Sequence, residues 1–223
     1  MSLKPPKKSD LGKAWMSKRR DSQRMIDPQY HLIVTEGTKT EPKYFEAVKR
    51  FINSNHREHI QLEISGIGDN TVNLFQRAKA LADKSLNGYR HVWIVYDTDD
   101  FPPEHINLVV SLCENASSEE RTFHAVWSNQ CIELWFLLHF CFMQSDIHRT
   151  EYFEKLSEHL QKLELGDYQK NRDDMYAILR PRLQTAIQNS ERLAAMNKGK
   201  TPTESAPGTM VHEIMKMFAP YLP

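Results

Sequence analysis

Short apolar runs alternate with amphipathic segments four times along the first two thirds of the chain. Four runs have the length and apolar content of buried strands: residues 31–37, 60–64, 91–96 and 122–128. Each run is followed by a segment with apolar residues at helical spacing: residues 38–52, 71–82, 104–115 and 131–142. This alternation predicts an α/β fold, with a parallel sheet of about four strands flanked by helices.

The last third of the chain has a different pattern, in which helical segments follow one another without a predicted strand. Amphipathic segments cover residues 150–163, 173–196 and 211–218. Pro181 is expected to kink or interrupt the second segment, because proline lacks the N–H that a helix interior needs. Residues 197–209 are rich in Gly, Pro, Ser and Thr, which predicts a loop.

The start of the chain is strongly basic. Residues 1–24 contain eight Lys and Arg against two Asp, a net charge of +6, although the formal charge of the whole chain is zero. Few apolar residues occur there, so no packed structure is expected. The segment is either a solvated leader or an arm that finds phosphates electrostatically. We therefore predict three parts: a basic flexible tail at 1–28, an α/β core at 29–146 and a helical C-terminal appendage at 147–223.

Composition narrows the class of protein. An apolar content of 40% is ordinary for a globular protein with a core. Cys113, Cys131 and Cys141 lack the spacing of a zinc site or a disulfide framework, which predicts reduced core thiols. The sequence has neither a signal-peptide pattern nor an apolar run of membrane-spanning length. We expect a cytoplasmic protein without a membrane partner.

Candidate catalytic acids follow the first and the third predicted strands. Glu36 ends the first strand, and residues 91–96 run directly into Asp97, Asp99 and Asp100. Ligands of open parallel sheets bind at the carboxyl ends of the strands, so these acids converge if the two strands are neighbours. Without a cation the carboxylates would repel one another, whereas Mg²⁺ takes oxygen ligands. The alternative interpretation of the Asp-x-Asp motif is a solvated surface turn.

The combination of these motifs resembles the Toprim domain of topoisomerases, primases and small nucleases, and most closely the RloB family of defence-associated bacterial proteins. The resemblance is carried by VTEGTKTEPKYF (34–45), GIGDN (66–70), VWIVYDTDDFP (92–102), SNQCIELWFLLHF (128–140) and PGTMVHEI (207–214). The sequence departs from the family at Gln130, where the family usually has proline after the Ser-Asn pair.

The resemblance implies a function and a ligand set. Glu36 would be the Toprim glutamate, a general acid/base or metal-side group, while Asp97 and Asp99 would hold Mg²⁺ or Mn²⁺, with Asp100 as a third acid. The implied activity is metal-dependent cleavage of phosphodiesters in DNA or RNA. Related proteins often occur beside a separate AAA- or ABC-type ATPase in abortive-infection systems against phage, which makes such an ATPase the expected partner.

Five further residues are candidates, and four of them have a structural alternative. Lys39 is placed to contact a phosphate beside the N-terminal amides of the first helix, or is an ordinary solvated lysine. Asn70 matches a loop residue of the family but also suits ordering its own turn. Asn129 belongs to the Ser-Asn pair that ends the fourth strand. Glu133 either joins the acids or stabilises a helix N-terminus. His139 is a buried core histidine or a ligand.

Two other functions remain open on the sequence. One is a non-catalytic, metal-binding partner or regulator of a defence ATPase. The other is a sugar-nucleotide transferase that uses the Asp-x-Asp motif, although this function leaves Glu36-Gly37 unexplained. The sequence contains no GxxxxGK[ST] motif, so the chain is not itself a P-loop ATPase. The choice between DNA, tRNA and another RNA stays open, and so does a homo-oligomeric assembly.

Overall fold

A computed structural model describes residues 28–68, 71–86, 88–98 and 102–222. Most of the predicted basic tail, together with the candidates Asn70, Asp99 and Asp100, therefore lies outside the described residues. Of the helices within the described ranges, none is both long and apolar enough to cross a membrane.

One mixed sheet forms the centre of the fold. Its strands are β1 (Gln29–Thr35), β2 (Ile60–Gly66), β3 (Tyr89–Asp97), β4 (Thr122–Asn129) and β5 (Gly208–Thr209). They lie in the order β2-β1-β3-β4-β5, with the first four parallel and β5 antiparallel to β4. The four predicted strands and their parallel arrangement are confirmed.

The fifth strand was not predicted, because two residues inside a loop give no periodic signal. The side chains of Ser128 and Thr209 hydrogen-bond across the β4–β5 pair at 2.8 Å. The N–H of Met210 also donates to the carbonyl of Trp127 at 2.9 Å. The stretch expected to be only a loop thus returns to the sheet and joins its carboxyl edge.

Eight α-helices connect and cover the strands. They are α1 (Thr40–Asn55), α2 (Thr71–Lys84), α3 (Pro103–Ala116), α4 (Glu133–Leu137), α5 (Arg149–Gln161), α6 (Met175–Leu179), α7 (Leu183–Met196) and α8 (Val211–Phe218), counted within the described residues. Short 3₁₀ turns occupy Arg180–Arg182, Pro202–Glu204 and Ala219–Tyr221. Pro181 lies in the first of these turns and separates α6 from α7, as its sequence position predicts.

Helix α4 is shorter than the predicted 131–142. After Leu137 the chain continues in tight turns, in which His139 and Phe140 donate their N–H groups to the carbonyls three residues earlier. The nearly unbroken apolar run led to the longer expectation. Phe136, inside the helix, and Leu138, beyond its end, are both buried. An apolar run therefore indicates burial but does not determine the length of a helix.

The sheet separates two hydrophobic clusters. Leu32 and Val34 of β1 face a cluster that α2 and α3 cover, whereas Ile33 faces a cluster built by α1 and by the helices from α4 onward. Both faces of the parallel strands are therefore buried, as expected for a sheet with helices on each side. The helices after residue 147 share their cluster with α1 and β1, and the proposed boundary at 146/147 stays a prediction.

A stack of aromatic rings lies on the face of the sheet that carries Ile33, near the amino ends of the strands. The Nε1–H of Trp93 donates to Nδ1 of His31 at 3.2 Å, and the His31 ring stacks on His91 with centroids 4.7 Å apart. Burial, together with the charges of His91 and His124, lowers the pKa of His31 to about 3. Burial similarly lowers the pKa of His124 to about 4. These histidines are neutral in the folded protein near pH 7.

Replacing His31 with Asn should reduce the acid sensitivity of the fold. In the unfolded chain His31 is protonated below about pH 6.5, whereas in the folded chain it is protonated only near pH 3. The unfolded state therefore binds the proton first, so the free energy of unfolding decreases as the pH falls from 6.5 towards 3. For His31 the loss is up to about 2 kcal/mol between pH 7.5 and about pH 5. Urea unfolding at both pH values measures it, with the exposed His105→Asn as the matched control. Equal pH dependence in His31→Asn and wild type would refute this assignment.

Candidate active site

Glu36 and Asp97 meet at the carboxyl edge of β1 and β3. The two strands are neighbours, with Thr35 paired to Val95. The Glu36 N–H donates to the Val95 carbonyl at 2.9 Å, and the Asp97 N–H donates to Oε2 of Glu36 at 3.3 Å. Both residues are half-buried. The predicted convergence is confirmed for this pair, while Asp99 and Asp100 continue the chain outside the described residues.

The loop after β2 supports the turn that carries Glu36. The N–H groups of Ile67 and Gly68 donate to the carbonyls of Thr35 and Glu36, at 3.1 and 2.8 Å. Gly68 has a φ of 68°, a left-handed conformation that favours glycine. The described part of the GIGDN segment, residues 66–68, therefore stabilises the turn that carries Glu36 through these backbone hydrogen bonds.

Glu41 is a buried acid at the same edge and was not among the predicted site residues. It lies in the first turn of α1 and is 6% exposed. A Cβ atom on Gly37 would collide with the Glu41 carboxylate, so glycine is needed there for the two groups to approach. Burial raises the pKa of Glu41, and the neighbouring Glu133 raises it further, whereas the N–H groups of Glu41 and Gly37 act in the opposite direction.

The sequence did contain a signal for Glu41. It occupies the same helix face as Tyr44, Phe45 and Val48, which are all in the core. A carboxylate in register with an apolar stripe is unusual, because burying an ionised group without partners is costly. The helical period alone could therefore have identified Glu41 as a special residue.

Glu133 is the second buried acid. It is the first residue of α4 and is 1% exposed. The Tyr168 hydroxyl donates to its Oε1 at 2.8 Å. Among the described residues, no Lys or Arg forms a salt bridge with Glu133 or Glu41. Tyr168 thus supplies a hydroxyl donor to Glu133, and nothing in the sequence around Tyr168 indicated this contact.

Cys131 lies between the two pairs of acids. Burial raises the pKa of its thiol, and the charges of Glu133 and Asp97 raise it further. The buried Glu41–Glu133 pair and the half-buried Glu36–Asp97 pair therefore belong to one acidic region at the carboxyl edge of the sheet. The thiol itself is 2% exposed and protonated, which suits a packing role.

The remaining candidates divide into two groups. Lys39 is exposed immediately before α1, and Asn129 ends β4 opposite Gly208, so both lie at the carboxyl edge. His139 lies apart from the acids. Its Nδ1 is 2.9 Å from the Trp135 carbonyl, and burial lowers its pKa to about 3. His139 is therefore a neutral histidine that packs against Trp135, in line with the structural alternative given above.

The oxygen-rich chemistry of this edge fits a hard divalent cation. Within the described residues, no three His, Cys, Asp or Glu side chains are grouped so as to hold a metal ion. Mg²⁺, however, is commonly bound through one or two carboxylates while it keeps several waters. Glu36 and Asp97 supply such a pair, and both are partly open to solvent.

Comparison with known proteins identifies the family. Residues 31–218 match the model of the RloB-like protein family, which covers most of the chain. The chain therefore belongs to the RloB-like family, and its α/β architecture is consistent with a Toprim-like fold. No curated protein and no solved structure matches the chain.

Removing the Tyr168 hydroxyl should destabilise the protein. Tyr168→Phe leaves the buried Glu133 carboxylate without its donor, so we expect a loss of about 1–3 kcal/mol in unfolding free energy. Tyr152→Phe is the matched control, because the buried Tyr152 hydroxyl has no hydrogen-bond partner among the described residues. Its removal should be close to neutral. Denaturant unfolding measures both, and equal effects would show that the Glu133 contact contributes nothing specific.

Proposed function

We propose that this protein is a Mg²⁺-dependent nuclease that cleaves phosphodiesters of nucleic acid. The observation that carries the proposal is the hydrogen-bonded approach of Glu36 to Asp97 at the carboxyl edge of neighbouring parallel strands. This edge is where open α/β sheets bind their ligands. The hydrogen bond positions the Glu36 carboxylate beside Asp97, and a cation held by both side chains would relieve the repulsion between two neighbouring negative charges.

Asp97 and Glu36 would hold the metal, together with Asp99. When bound, Mg²⁺ neutralises charge on the phosphate and activates a water or hydroxyl. The backbone contributes independently, because the Asp97 N–H holds Oε2 of Glu36 and thereby fixes its carboxylate at the edge. A half-buried carboxylate fixed in this way is suited to take a proton from an attacking water. Lys39, exposed at the start of α1, is suited to contact a phosphate oxygen.

The proposal also includes a biological setting. Membership of the RloB-like family supports a role in antiphage abortive infection with a separate AAA- or ABC-type ATPase. The absence of a P-loop motif from the sequence means that nucleotide hydrolysis would be the task of that partner. DNA and RNA remain equal candidates for the substrate.

Asp97→Asn should weaken metal binding and slow cleavage. Removing one carboxylate ligand is expected to weaken Mn²⁺ binding by about tenfold or more and to reduce cleavage by about 100-fold or more. Calorimetric titration with Mn²⁺ measures binding, and incubation with labelled DNA and total RNA, with and without Mg²⁺ and the neighbouring ATPase, measures cleavage. Glu120→Gln, an exposed change of the same charge, is the control. Unaltered Mn²⁺ affinity in Asp97→Asn would remove the proposed site.

Glu133→Gln should separate catalysis from stability. The Gln amide oxygen can still accept the Tyr168 hydroxyl, so the fold should be kept, while the negative charge beside Glu41 is lost. We expect cleavage to fall by about tenfold or more at a nearly unchanged melting temperature, because a charge acting at the reacting centre is removed. Thermal melting and initial cleavage rates are the measurements. Full activity with unchanged melting would assign Glu133 a structural role only.

A further inference from the structure

A polar cleft opens beside Asp97 at the carboxyl ends of β3 and β4. Its volume is about 430 Å³, and Thr98, the residue after Asp97, forms part of its wall. Asn129 and Gln130 contribute from the end of β4, the segment 146–149 contributes from the start of α5, and residues 203–206 contribute from the turn before β5. The cleft is therefore continuous with the acidic edge that carries the proposed nuclease site.

The side of the cleft formed by Gln130 is held in place by a contact with α5. The Arg149 N–H donates to Oε1 of Gln130 at 2.9 Å. This bond orients the amide and uses its acceptor, so its Nε2 group remains as the donor. Among the described residues that Nε2 forms no hydrogen bond. It is not one of the buried polar atoms that lack a partner, so it is accessible from solvent at the half-buried Gln130.

The side of the cleft formed by Thr203 and Ala206 is held in place by a contact with α3. The Nδ2 group of Asn107 donates to the Thr203 hydroxyl at 3.1 Å, a contact between residues far apart in the chain. On the floor, the Thr98 N–H donates to the carbonyls of Ser128 and Gln130, at 3.1 and 3.2 Å. Each side of the cleft is thus tied to a helix or strand of the core. The cleft is preformed rather than an opening between loose loops.

The lining suits a polar ligand that carries a phosphate group within reach of Arg149. Of the eight described residues that line the cleft, only Ala206 is apolar, and only His148 has a ring. Arg149 supplies a permanent cation, while Asp146 is an exposed acid at the rim. Guanidinium groups bind phosphate with strong, charge-assisted hydrogen bonds, and amides read the polar edges of bases. A lining with Ala206 as its one apolar residue among those described is unsuited to a lipid or an aromatic cofactor.

We propose that this cleft binds one unpaired nucleotide of the nucleic-acid strand, next to the phosphodiester that is cleaved. Arg149 contacts its phosphate, and the Gln130 Nε2 donates to an acceptor on its base edge. The inference rests on the proposed nuclease function, because the nucleotide in the cleft belongs to the nucleic-acid strand that the nuclease would cleave. The volume lies at the small end of ordinary ligand sites and accommodates a single nucleotide rather than a duplex. A paired base would have to leave its stack to enter.

Binding without cleavage tests the inference. The full chain is titrated, in EDTA, into fluorescently labelled homopolymeric DNA and RNA single strands and into a matched duplex, and anisotropy reports the affinity. Wild type should prefer single strands. Arg149→Gln should weaken single-strand binding by about tenfold for every base. Gln130→Ala should weaken it by about three- to tenfold and reduce the differences between bases. Circular dichroism checks that each variant is folded.

Two controls separate the cleft from general charge and polarity effects. Arg50→Gln removes the same charge from an exposed position on α1, and Gln76→Ala removes the same amide from an exposed position on α2. Both should bind as wild type does. An equal loss in Arg50→Gln, or no binding of any strand by wild type, would overturn the inference.

Cleavage assays distinguish the two proposals. If strands are cleaved in an Asp97-dependent manner while both cleft variants bind normally, the cleft proposal fails and the nuclease proposal stands. If the cleft variants lose binding but no metal supports cleavage by wild type, the cleft binds nucleotides and the nuclease proposal fails.

Discussion

The parallel pairing of β1 with β3 is the constraint on which the carboxyl edge depends. Because parallel strands end at the same edge, the register that pairs Thr35 with Val95 also brings Glu36, one residue after Thr35, into contact with Asp97, two residues after Val95. The backbone of one acidic residue then becomes the hydrogen-bond donor to the other. A shift of this register by one residue would reverse which face each side chain occupies and separate the acids. The two buried hydrophobic clusters on either side of the sheet oppose such a shift.

Burial of negative charge is the main energetic difficulty of this edge. Glu41 and Glu133 lie in the core without salt bridges among the described residues, and unpaired buried charge is costly. The molecule compensates with local donors, namely the Gly37 N–H for Glu41 and the Tyr168 hydroxyl for Glu133. A raised pKa of Glu41 relieves the remaining repulsion by favouring its protonated form. Among the described residues, the buried Glu41–Glu133 pair is therefore held by hydrogen bonds and protonation rather than by salt bridges.

The segment between α5 and α6 closes over these acids. The Thr40 hydroxyl donates to the Lys170 carbonyl at 2.9 Å, and Lys43 contacts Asp173 at 2.9 Å. The salt bridge is exposed and is expected to contribute little to stability. The insertion of Tyr168, 9% exposed and stacked on Phe153, is the larger anchor. The residues assigned to a helical appendage thus complete the surroundings of Glu133.

Some of this arrangement could be predicted from the sequence, and the reasons for the remainder are physical. Strand ends followed by acids predicted the approach of Glu36 to Asp97, because parallel strands share an edge. Glu41 was not among the predicted candidates, although its register with Tyr44 on the apolar face of α1 could have indicated it. Tyr168 and β5 could not be predicted, since contacts between segments far apart in the chain leave no periodic pattern. Helix α4 was overextended because apolar content indicates burial and not backbone conformation.

The β4–β5 pairing also has a consequence for the order in which the protein is made. Ser128 and Thr209 are 81 positions apart, and residues 203–206 build one wall of the polar cleft. A nascent chain that has been synthesised only through β4 already carries Glu36 and Asp97, but it lacks this wall. Domains generally fold as units during synthesis. Because the C-terminal helices share a hydrophobic cluster with β1 and α1, both the core and the cleft are completed only after the last third of the chain has been synthesised.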